Sequence, residues 1–339
     1  MIFVRNTNLL VPTKDDALVA RTEMAGLFEI KKFKADAFGN KIEKSGQVCA
    51  EFPNLILNQG LDRMALPEPF ILNACQVGTG SAAPAETQTA LQTFLAGTSN
   101  RVSTTKSIQS SSPFWGSLSV TYEFAVGAAA GNLTEVGVGW ATTGSILFSR
   151  ALIVDGSGSP ITITILSDEI LQVIYTLRLY PVEADTPAVV TISGTNYTFT
   201  RRPAFVTNVD VWAYITDVGG PTSIAGFGIP TLGGLPAAHS VGMGLITAGP
   251  TGTAITANTR TNATYVTGTY NRDSTMIWNI GSANFGVGGI QSFVVNAGRG
   301  GSGGGSSGTY QYGVSPAIPK INTQVLTLNH RMTWNRRIL

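Results

Sequence analysis

Apolar and polar residues alternate along most of this chain. From Ser117 onward, Leu118, Val120, Tyr122, Phe124 and Val126 alternate with Ser119, Thr121, Glu123 and Ala125. A period of two places each set on its own face, so the segment reads as a half-buried antiparallel strand. NLTEVGVGWA, SILFSRALIV, PITITIL and ILQVIYTLRLY repeat the theme, with Gly- and Ser-rich turns between them at hairpin spacing. Further on, AVVTISGTNYTFTRRPAFV turns at Gly194-Thr195-Asn196. VDVWAYITDV, STMIWNIG, GGIQSFVVN and VLTLNHRMTW supply more strands. LFEIKKFKADAFGNKIEK reads as a hairpin turning at Phe38-Gly39-Asn40, its Lys-rich outer face guarding a strand edge. One stretch breaks the pattern. In FPNLILNQGLDRMALP the apolar residues Leu55, Ile56, Leu61, Met64 and Ala65 fall at helical spacing, with Asn54 as the expected N-cap and Pro67 as the stop.

Two echoes organise these strands. VGTGSAAPAETQTAL, from Val77 to Leu91, aligns without gaps on VGMGLITAGPTGTAI, from Val241 to Ile255. Leu171, Val173, Tyr175, Leu177 and Leu179 align in register with Leu326, Leu328, His330, Met332 and Trp334. Repetition at long period predicts a unit used twice. The expected fold is all-β and mostly antiparallel, with two tandem β-sandwich modules and one short helix in the first. The expected boundaries are a docking arm over 1–25, a first module over 26–181, and a diverged second module over 182–339 with a Gly-rich loop at 298–308. Each module is expected to bury its own core. IPTLGGLPAAH stands where the second copy of the helix would be, and it is too rich in Gly and Pro to be helical.

Composition narrows the function. Hydrophobic residues make up 43% of the 339, enough for two cores, but charged residues only 12%. A soluble domain usually carries about 25% charged residues. A polar but weakly charged surface suits faces covered by other subunits, because buried charge is costly. The net charge of +2 gives no basic face for nucleic acid. The one basic cluster, Arg331, Arg336 and Arg337, reads as a strand and a solvated end. Cys49 and Cys75 make no disulfide framework and are expected to be reduced and buried. No run reaches the roughly 18 apolar residues of a membrane helix. MIFVRNTNLLVPTKDD lacks the basic start and apolar run of a signal peptide, so neither secretion nor membrane insertion is expected.

No catalytic constellation emerges. His239 and His330 lie apart, without His, Cys or Glu at metal-ligand spacing. Gly304 to Gly308 matches a nucleophile elbow in pattern but lacks the strand before it and the helix after it. The same tract lacks the Lys-Ser or Lys-Thr of a phosphate loop. Asp15-Asp16, Asp62 and Asp168-Glu169 are scattered carboxylates whose spacing implies no shared face. A glycosidase would need two that converge. The five tryptophans read as core. No catalytic residue, metal or cofactor is therefore expected. Tyr310 and Tyr312, which flank the Gly-rich tract, and Arg299 within it are the expected interface or receptor contacts.

FPNLILNQGLDRMA, VGTGSAAPAETQTAL, NLTEVGVGWATTGSILFSRALI and PITITILSDEILQVIYTLRL, in this order, resemble structural proteins of tailed-bacteriophage virions, particularly tail-fibre and tail-associated modules. The likeness spans about residues 27–181 and is faint beyond. It implies a non-enzymatic virion component of the tail, collar or fibre, assembled in the host cytoplasm. Its implied partners are further copies of itself, other virion proteins and a host surface receptor. A capsid decoration protein is the alternative.

Overall fold

The computed structural model describes residues 9–13, 16–43, 46–66, 71–212, 236–296 and 309–339. They form an all-β body with three main sheets, of nine, five and six strands. No helix among the described residues is long and apolar enough to cross a membrane.

Leu18–Lys34 is the middle strand of the nine-stranded sheet. Its even-numbered residues Leu18, Ala20, Thr22, Met24, Phe28 and Ile30 are buried on one face. Ala20 and Thr22 conceal this alternation in the sequence, so the expected arm over 1–25 ends too late. Residues from Leu18 onward belong to the core strand. Residues 9–13 lie on the chain's own second half: Leu9–Leu10 pairs in parallel with Val325 and Leu326, and Pro12 bridges Ile192. The described part of the arm therefore already has its pairing partners within this chain.

One edge of Leu18–Lys34 pairs antiparallel with Glu169–Pro181, from Lys34 opposite Glu169 to Thr22 opposite Pro181. The other edge is shared. Residues 18–24 pair in parallel with Val325–Arg336, and residues 27–32 pair antiparallel with Gln47–Pro53, which returns through the predicted hairpin. Strands of both halves thus lie in one sheet.

The halves repeat each other in connectivity. In the first, Ala74–Gly78, Phe94–Thr98, Arg101–Gln109, Trp115–Glu123, Glu135–Gly139, Leu147–Leu152 and Glu169–Pro181 follow in order. In the second, Ala237–His239, Ala254–Thr256, Thr259–Asn262, Asn271–Trp278, Ile290–Asn296, Thr309–Ile318 and Val325–Arg336 follow in the same order with the same neighbours. The residues of the second echo, Leu171 to Leu179 and Leu326 to Trp334, are buried at every aligned position.

The expectation of two separate cores is corrected. One buried cluster contains Phe28, Val77, Val136 and Tyr175 together with Phe293, Tyr310, Leu328 and Trp334. The five-stranded and six-stranded sheets cover the same face of the nine-stranded one. On the six-stranded side, Tyr310 shares a 2.9 Å hydrogen bond with Thr22, and the tilted rings of Trp278 and Phe293 meet at 5.2 Å between centroids.

The helix is shorter than its periodicity predicts. Leu55–Ile56 is a strand paired with Ser149 and Arg150, and the helix runs only from Asn58 to Arg63 behind Leu57. Asn54 does not cap it, and instead donates to the Tyr175 hydroxyl at 3.1 Å. Second-half residues hold this helix in place. The Trp334 indole donates to Leu61 O at 3.0 Å, Tyr265 donates to Asp62 at 2.5 Å, and Arg336 donates to Ile56 O at 2.9 Å. Val209–Trp212, expected as a strand, is a helical turn whose Trp212 indole donates to Ala204 O at 2.9 Å. The Gly-rich tract and Arg299 lie outside the described residues.

A chain cut after Val182 leaves half of one central edge unpaired and the helix without its clamps. Such a fragment is predicted to show no cooperative urea transition by circular dichroism. The full chain should show one, coincident by circular dichroism and tryptophan fluorescence.

Candidate functional site

Of the expected receptor contacts, Tyr310 and Tyr312 do not face outward. Tyr310 and Tyr312 are 0% and 1% exposed. They lie on the inward face of Thr309–Ile318, where Tyr310 donates to Arg21 O and Tyr312 shares a 2.9 Å bond with His330 Nε2. Alternation along the strand aims both rings at the nine-stranded sheet, so proximity to a surface loop in sequence does not bring them to the surface. They build the contact between sheets. Cys75 is buried and Cys49 half-buried, and both are free thiols. Among the described residues no group of three or more His, Cys, Asp or Glu converges on one point.

The residues that sequence reasoning missed are Glu135 and Arg150. Both side chains are fully buried, and Arg150 Nη2 lies 2.7 Å from Glu135 Oε2. The carboxylate accepts from the backbone N–H of Gly80 at 2.9 Å, Gln92 at 3.0 Å and Thr93 at 2.7 Å. Arg150 donates to Gln88 Oε1 at 2.6 Å and to Ala82 O at 2.9 Å. Together they tie down the whole Val77–Leu91 stretch. Gly80 leaves room for this, since a Cβ there would sit 2.4 Å from Glu135 Oε1. The available signal was a lone Glu and a lone Arg within adjacent apolar strands of a chain poor in charge.

The echo is held in the same manner by different chemistry. Gly244, which aligns with Gly80, donates its N–H to Gln311 Oε1 at 2.7 Å. The Gln311 amide nitrogen, fully buried, donates to Leu245 O at 3.0 Å and Gly244 O at 3.2 Å. One neutral carboxamide supplies the acceptor and donors that Glu135 and Arg150 divide between them.

A second feature joins the halves. A cleft of about 660 Å³ is lined by Leu18, Thr22 and Trp334 of the nine-stranded sheet and by Phe199, Arg201 and Tyr312 of the six-stranded one. Arg201 is 4% exposed.

Glu135→Gln is predicted to cost about 3–5 kcal/mol in urea denaturation, because it strands a buried guanidinium. Replacing both partners, Glu135→Leu with Arg150→Met, should recover only part of this. Three loop N–H groups then lose their acceptor, at about 1 kcal/mol or more each.

Burial pushes the His330 imidazole from 6.5 down to about 3. The fold therefore favours the neutral ring. Its contribution is whole above pH 6.5 and falls as pH drops toward 3, at up to about 1.4 kcal/mol per unit. His330→Asn should flatten the fall in urea midpoint between pH 6.5 and pH 5. Burial also lowers His239, so some slope should remain.

Comparison of the chain with protein-family models, characterised proteins and solved structures found no match.

Proposed function

We propose that this chain is a structural, non-enzymatic component of a tailed-phage virion, associated with the tail, collar or fibre. The observation that carries this reading is spatial. Three of the four segments with the tail-associated resemblance, FPNLILNQGLDRMA, VGTGSAAPAETQTAL and NLTEVGVGWATTGSILFSRALI, meet in one hydrogen-bonded knot. Gln59 of the helix donates to Thr89 O of the Val77–Leu91 stretch and to Leu147 O of the SILFSRAL strand, both at 2.8 Å. Glu135 of the TEVG segment and Arg150 hold the same stretch from beneath. These three segments thus act as one unit, as a transferable structural module requires.

The charge content of 12% supports the same reading, because weakly charged faces desolvate cheaply on assembly. The mechanism is physical: repeated copies meet through symmetric contacts whose hydrogen bonds and apolar area exclude water. The first half docks on the particle, and the second faces outward or toward the next subunit.

Quantitative mass spectrometry of purified particles tests this. A tail, collar or fibre part should be present at a few to a few dozen copies per particle. A count on the order of hundreds would favour capsid decoration instead. Absence of the chain from the particles would end both readings.

A further inference from the structure

Arg201 differs from the other buried arginine. Arg150 has Glu135, and the neighbouring Arg202 pairs with Asp185. None of the ion pairs among the described residues includes Arg201. Its Nη2 donates to Thr186 Oγ1 at 2.8 Å, and its Nε is buried with no hydrogen-bond partner. An arginine keeps its charge even when buried, and an uncompensated buried charge opposes folding.

The surroundings explain where a partner could come from. Pro181 is the last residue paired with the central strand on that edge, opposite Thr22. Leu18–Arg21 therefore have a neighbour, His330–Thr333, on one edge only. The 660 Å³ cleft lies beside this flank, within the size range of pockets that hold small organic ligands. Phe199, Arg201 and Trp334 are buried residues lining it, while Arg21, Thr186 and Asn335 are exposed lining residues. Glu23 also lines the cleft, but its carboxylate pairs with Arg337 at 3.1 Å. Arg21 adds a second positive charge.

We propose that this cleft binds a small carboxylate-bearing saccharide, an acidic sugar whose carboxylate sits on the Arg201 guanidinium. A planar guanidinium fork matches a carboxylate in two parallel hydrogen bonds. Half-buried Val19 and Val182 and exposed Ala188 give the cleft an apolar wall for one face of a pyranose, and Thr186 and Asn335 offer hydrogen bonds to its hydroxyls. Arg21 lies exposed on the rim, where solvent and salt screen it, so the one buried arginine matches the single charge of a carboxylate better than a phosphate dianion. This inference stands apart from the virion reading, since it rests on the cleft alone.

The test is calorimetric titration of the full chain with glucuronate, galacturonate and N-acetylneuraminate, with glucose and glucose 6-phosphate as comparisons. At least one acidic sugar should bind, and glucose should bind at least about tenfold more weakly, because a buried group built to pair with the carboxylate is then left unpaired. Arg201→Gln should abolish the preference for the acidic sugar, and Arg201→Lys should weaken it by losing the fork. Binding of none of the acidic sugars would overturn the proposal. Equal binding of glucose, tighter binding of glucose 6-phosphate, or undiminished acidic-sugar binding by folded Arg201→Gln would each do the same. Should Arg201→Gln fail to fold, the contrast among sugars on the unaltered chain decides alone.

Discussion

A buried strand needs hydrogen-bonding partners along both edges, and for Leu18–Lys34 those partners come from different halves of the chain. Glu169–Pro181 takes one edge, and Val325–Arg336 takes the first part of the other. Backbone groups left unpaired in a core cost as much as lost hydrogen bonds. Neither half can therefore complete its sheet alone, although each repeats the connectivity of the other. The doubled unit has become one body because one strand serves both copies. The parallel pairing also joins the two ends of the sequence, a contact of high order that forms only after long stretches of chain are in place.

The two glycine loops show how one backbone demand is met twice. Each loop folds back over its sheet and presents N–H and C=O groups that need buried partners. In the first half a carboxylate and a guanidinium meet this demand, and each requires the other. In the second half Gln311 meets it without charge. The neutral solution avoids the desolvation of two ions. The charged one reaches more groups, from Gly80 through Ala82 and Gln88 to Thr93, and so fixes a longer loop. Arg201 belongs to neither arrangement, which is why it stands out.

Much of the fold was legible in the sequence. Period-two alternation marked the strands, and the Phe38-Gly39-Asn40 turn marked the hairpin. The aligned apolar residues of the second echo all proved to be core. What was hidden has physical causes. Ala20 and Thr22 are small enough to pack inward without an apolar signature, so the first part of the central strand passed for an arm. Leu55 and Ile56 fit a helix by spacing, but pairing with Ser149 and Arg150 holds them extended, since tertiary contacts outweigh weak local preference. The merging of two cores depends on which strand edges meet, and edge pairing leaves no periodic mark. Tyr310 and Tyr312 were misread because nearness to a Gly-rich tract says nothing about the face a side chain takes. Glu135, Arg150 and Arg201 carry the polar sites; single charged residues within apolar strands were the only trace of the first two, and an Arg-Arg pair within a strand that of the third.

Native-state hydrogen exchange resolved to single amides tests most directly whether one strand unites the halves. Interior amides of Leu18–Lys34, Glu169–Pro181 and Val325–Arg336 should share a single opening free energy, the highest in the molecule, because all are released only by global unfolding. Two distinct values, with Val325–Arg336 opening while Glu169–Pro181 stays protected, would contradict the account.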